Sequence, residues 1–200
     1  MQKSQAVSHA RRSIALFYAS AWLCASVVAG AEITVRADPP VLTWSAFRSV
    51  ESLAESEDAH IAAEISFPRP LRMESADGVY RLPAFTITVA PEPARTRVRR
   101  SAQRSAALLR HEQGHYDIVV LAARALGREL ASITASSASD LSRAVEDCVA
   151  KHTERAARSS EAYDRETDHG RSLSEQTRWS ARIAAALTAE TVGELLGMPL

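Results

Sequence analysis

Along this chain the spacing of apolar residues changes once, near Pro93. Before it, in "HIAAEISF", Ile61, Ala63, Ile65 and Phe67 alternate with other side chains until Pro68 and Pro70 end the run. In "FTITVAPEP", Phe85, Ile87 and Val89 alternate with threonines as far as Pro91 and Pro93. A period of two with β-branched residues marks half-buried strands. "ADGVY" supplies a turn at Asp77-Gly78, "EITV" a further short strand, and Trp44 in "LTWSAF" an anchoring aromatic. Beyond Pro93 the spacing becomes helical. It predicts a first helix from about 97 to 133, with a break near Gly127. A second helix, capped by Asp140, follows the polar stretch "TASSAS" and stops at Gly170, and "SLSEQTRWSARIAAALTAE" forms a third. Strands first and helices afterwards predict an α+β domain, a small antiparallel sheet followed by three helices.

The first predicted helix contains "HEQGH", His111 to His115. On a wheel turning about 100° per residue, His111, Glu112 and His115 fall on the same stripe as Leu108, Ile118, Val119, Ala122 and Leu126. Placing three polar groups on a core-facing stripe costs about 2–7 kcal/mol for each one left unpaired. A cation would satisfy them. Imidazoles at i and i+4 converge on one zinc ion, and Glu112 flanks it as a general base for the water the metal acidifies. Gly114 lets another chain segment come close to the helix. A catalytic zinc takes three protein ligands, and the third is expected from "YDRETDHG", residues 163 to 170. His169 is the first choice, with Glu166, three residues earlier, orienting an imidazole or ligating in its place; Asp164 and Asp168 rank below them. Tyr163 and Tyr116 are the candidates for oxyanion stabilisation. His60, His152 and Cys148 read as structural residues, and Trp179 as packing for the third helix.

Composition adds a compartment. Lys3, Arg11 and Arg12 precede the uncharged run "SIALFYASAWLCASVVAG", and Ala29-Gly30-Ala31 offers a cleavage site. Residues 1–31 are therefore expected to be a signal peptide and 32–200 the domain, in a protein exported to the periplasm or medium without a stable membrane anchor. The 24 basic and 24 acidic residues balance, and the leader would remove only basic ones. No footprint for nucleic acid remains, despite the local cluster Arg95, Arg97, Arg99, Arg100 and Arg104. Cys148 would be the single cysteine left, so the domain has no internal disulfide and must rely on its core or a metal.

"LTWSAF", "LLRHEQGHYDI", "YDRETDHG" and "QTRW" occur in the order of a bacterial family of exported proteins, the domain-of-unknown-function family numbered 922, which the chain resembles over about residues 41 to 180. Ala46 departs from it, standing where many members have aspartate. The resemblance implies a zincin-like metallopeptidase, a label that itself rests on the HExxH motif. The expected activity is zinc-dependent hydrolysis of a peptide or protein, with an extended substrate aligned along a strand edge from "FTITV" or "HIAAEIS". Two other readings use the same residues. A zinc could be purely structural. Alternatively, Glu112-x-x-His115 and Glu166-x-x-His169 could form a di-metal carboxylate centre with glutamates such as Glu129, Glu146 or Glu190.

Overall fold

The structure is a computed structural model and describes residues 31–53, 57–68, 70–189, 194–195 and 198–199. The expected signal peptide lies outside the described residues. The strands are β1 (Ile33–Ala37), β2 (Arg48–Val50), β3 (Ala59–His60), β4 (Ala63–Ser66), β5 (Glu74–Ala76), β6 (Val79–Arg81), β7 (Phe85–Pro91) and β8 (Arg97–Arg99). Then come α1 (Ala106–Ser132), β9 (Thr134–Ala135), α2 (Ala138–Thr167), α3 (Leu173–Thr188) and a short pair, β10 (Glu194–Leu195) and β11 (Met198–Pro199). The class is α+β, as the change of period predicts.

The strands form three separate three-stranded sheets, ordered β1-β7-β4, β2-β8-β3 and β5-β6-β9, beside the two-stranded β10-β11. Two pairings, β1 with β7 and β2 with β8, are parallel. The expected small antiparallel sheet is thus divided, and part of it is parallel. The "FTITV" strand is the central one of its sheet, with Ile87 and Val89 fully buried.

Helix α1 starts nine residues later than the periodicity suggests. The stretch Arg97–Arg99 forms β8 instead, burying only Val98 between two arginines. Ser105 caps α1 by accepting the Leu108 N–H at 3.1 Å, satisfying one of the amides a helix start leaves free. Ser137, rather than Asp140, caps α2, accepting the Asp140 N–H at 3.1 Å. No break occurs at Gly127. A Cβ there would stand 3.3 Å from Ile33 Cγ2, so the glycine lets α1 lie close against β1 and β7.

Helix α1 is the axis of the domain. It packs on β1 and β7 on one side and on α2 and α3 on the other. Ile118, Leu121, Leu126 and Leu130 are buried along it, each worth about 1.5–3 kcal/mol of transfer free energy. Tyr116 reaches into the sheet, its hydroxyl donating to the Val89 carbonyl at 2.7 Å and accepting the Asp38 N–H at 3.1 Å. That hydroxyl is a structural clamp, which removes Tyr116 as an oxyanion donor. Among the described residues no helix is long and apolar enough to cross a membrane.

Candidate metal centre

His111 and His115 leave α1 one turn apart and meet a carboxylate from α2. Asp164 Oδ1 lies 3.0 Å from His111 Nε2 and 2.9 Å from His115 Nε2, and the two imidazole nitrogens are 3.3 Å apart. Four ligands about 2.0–2.1 Å from a tetrahedral zinc stand roughly 3.3 Å from one another. The three atoms therefore form one face of such a tetrahedron, slightly contracted. The donor set, two imidazoles and a carboxylate, suits zinc.

Each ring is aimed by its surroundings. His111 is buried, and its Nδ1 lies 3.2 Å from Gln176 Oε1 on α3. If Nδ1–H donates to that amide oxygen, the Nε2 lone pair faces Asp164 and His115, the arrangement a metal-binding imidazole needs. Tyr163 stacks on the same ring, with centroids 4.8 Å apart and an interplanar angle of 19°. Its hydroxyl accepts from Gln176 Nε2 and donates to the His111 carbonyl at 3.3 Å. Fully buried and engaged in this way, Tyr163 supports His111 and is no free oxyanion donor. The close approach permitted by Gly114 is to Tyr163: a Cβ at 114 would lie 2.6 Å from Tyr163 Cζ.

Titration follows this geometry. Burial works to lower the pKa of His111, but the hydrogen bond to Asp164, with the nearby Glu112 charge, raises it overall. Burial dominates at His115 and lowers its pKa despite the same carboxylate. Asp164 is penalised by burial, yet hydrogen bonds from both imidazoles hold its carboxyl well below the usual carboxylate range. Burial pushes Glu112 up to about 7, against the pull of His111 and a hydrogen bond from the Ile61 N–H. That bond, 2.8 Å from Ile61 N to Glu112 Oε2, ties the glutamate to the residue following β3. A carboxylate with this pKa is matched to proton transfer near neutrality.

The third group is accordingly Asp164. His169 lies close by, its Nδ1 3.5 Å from Asp164 Oδ1, but it is outside the set of His111, His115 and Asp164, whose ligand atoms all fall within 4.8 Å of one another. Glu166 is not brought to the histidines. Its Oε2 accepts from Trp179 Nε1 at 2.9 Å and from Arg178 at 3.1 Å, both on α3. Its spacing of three from His169 does not bring it there, because α2 serves two partners: Asp164 faces α1, and Glu166, two residues on, faces α3. At the helix end Asp168 and His169 turn left-handed, with φ of 49° and 51°, and Gly170 follows at 79°. This hook returns the chain over His111; a Cβ at Gly170 would stand 2.9 Å from His111 Cγ.

The site opens into a cavity of about 460 Å³ lined by β3, the start of α1, and Asp164, His169 and Gly170. His60, whose sequence context points to a structural role, lies on its wall. Gln176 was legible only as part of "QTRW", with no role attached. Gln113 joins the motif to the "LTW" segment, its Oε1 accepting the Leu42 N–H at 2.7 Å.

No curated protein and no solved structure gives a significant match to the chain. The model of a family described as "Bacterial protein of unknown function (DUF922)" matches residues 73–170, the stretch running from just before β5 through HEQGH to the Gly170 hook. That match covers both halves of the candidate centre, and over residues 73–170 the chain is similar to this family.

Proposed function

We propose that the protein is an exported zinc-dependent metallohydrolase acting on peptides. The observation that carries this reading is the triangle of His111, His115 and Asp164 ligand atoms, with edges of 2.9–3.3 Å, beside a buried glutamate and an open cavity. His111, His115 and Asp164 would hold the ion, which supplies Lewis acidity to the substrate carbonyl and to water. Glu112 takes the proton from the attacking water and returns it to the leaving amine. The Ile61 N–H fixes its carboxylate while that proton moves.

β3 is the outer strand of β2-β8-β3 and lines the cavity, so its outer edge supports docking of an extended peptide. The central position of "FTITV" leaves that role to the "HIAAEIS" segment. Export rests on the basic, apolar and small-residue order of residues 1–31. The cavity favours a hydrolytic zinc over a purely structural one, because it leaves room on the open side of the triangle. The di-metal alternative loses Glu166, which is held by α3. Elemental analysis tests the assignment: zinc content should fall by one ion per chain in His111→Ala and Asp164→Ala and stay at the wild-type level in Glu166→Gln. A zinc content in Asp164→Ala equal to that of the wild type would overturn it.

A further inference from the structure

A second cluster lies farther along the same two helices. Cys148 and His152 sit one turn apart on α2, and Glu129 reaches them from α1. His152 Nε2 is 2.9 Å from Glu129 Oε2. The Cys148 thiol is also in hydrogen-bond contact with Glu129. Sulfur, imidazole nitrogen and carboxylate oxygen all fall within 4.8 Å of one another. The plan repeats that of the first centre with the helices exchanged: an i,i+4 pair on one helix and a single carboxylate from the other. From His115 to Glu129 is fourteen residues, about 21 Å along α1 at 1.5 Å per residue.

A second observation concerns His152 itself. The residue is 2 % exposed, yet its Nδ1 has no hydrogen-bond partner among the described residues. Leaving a buried polar atom unpaired costs about 1–3 kcal/mol. Burial, with Glu129 nearby, pushes the Cys148 thiol up to about 11, so the sulfur keeps its proton unless a cation displaces it.

We propose that Glu129, Cys148 and His152 form a second divalent-metal site, taking zinc or another ion that accepts thiolate and imidazole together and tying α1 to α2. Such a donor set selects borderline-soft ions over magnesium or calcium. Binding sends the Cys148 proton to solvent and displaces Lys151, whose ammonium contacts both Glu129 oxygens. Lys151 is 40 % exposed at its side chain, so it can swing outward. The site would staple two helices in a domain whose described residues contain one cysteine, free and buried.

The proposal is independent of the hydrolase reading, and cobalt distinguishes the two. Metal-free full chain is titrated with Co²⁺ while absorption is recorded. Two ions per chain are expected, one of them accompanied by a thiolate-to-cobalt charge-transfer band in the near ultraviolet. His115→Ala should lower the count by one and keep the band. Cys148→Ser should lower it by one and remove the band. Lys151→Met, which removes the competing cation, should tighten the sulfur-bound ion by up to about fivefold, the scale of a half-exposed ion pair. A wild-type titration without a thiolate band overturns the proposal and needs no variant to fold. So does a band that persists in Cys148→Ser.

Discussion

The two ends of the α1–α2 contact carry clusters with the same outline and different surroundings. At one end His111, His115 and Asp164 open onto a cavity, and Glu112 stands beside them with its pKa raised to about 7. At the other end Glu129, Cys148 and His152 take no part in lining that cavity, and Lys151 neutralises the carboxylate. Convergent ligand atoms are therefore common to both, and only the first adds a buried base and room for a substrate. On the proposed reading, metal binding and hydrolysis would be separable, the second depending on Glu112 and the wall formed by β3.

The sharpest way to break that distinction is Glu112→Gln. Peptidase turnover should fall by about 10²–10⁴-fold, the usual contribution of a positioned base, with zinc content unchanged. Equal turnover in a peptide-cleavage assay would leave the two clusters functionally alike. Next in size is Gly114→Ala, whose new methyl group runs into the Tyr163 ring. Tyr163 is packed against Trp179 at a centroid distance of 5.3 Å and has little room to retreat. A loss of about 1–3 kcal/mol is expected from overpacking, and urea unfolding of the metal-free protein measures it.

A third test uses acid. The Lys151 hydrogen bond, aided by His152 and against burial, lowers the Glu129 pKa from 4.5 to about 2. Because the folded value is the depressed one, the stabilisation is fully present above about 4.5 and lost as pH falls through about 2. In metal-free protein the melting temperature should drop across this window, and the part due to Glu129 should shrink in Lys151→Met. An identical pH profile in that variant would deny Lys151 its role. The smallest effect belongs to Glu166→Gln, which weakens contacts to Trp179 and Arg178 for about 1 kcal/mol and leaves metal content intact.

Much of this was legible because a helix advertises its buried face by period. The stripe through Leu108, His111, His115 and Leu126 identified the core-facing motif, and the change near Pro93 identified the fold class. Periodicity reports burial but not which neighbour a side chain meets, and a three-residue strand gives it little to report. Glu166 was expected beside His169 from their spacing of three, but it is exposed on the side of α2 that meets α3, where it accepts from Trp179 and Arg178. Strand β8 was hidden because Val98 alone is buried between charged residues. His152 and Cys148, considered one at a time, gave no sign of Glu129, which lies on another helix and nineteen residues before the nearer of them.

The Gly170 hook and the Tyr163 ring both press on His111, while Gln176 meets its far nitrogen. An imidazole restrained in this way has almost no rotational freedom to surrender when a cation arrives. Its ordering is completed while the chain folds, so a cation held as proposed would load and unload without rebuilding the cradle. A bulkier residue at position 170 would undo that advantage from outside the helix that carries the motif.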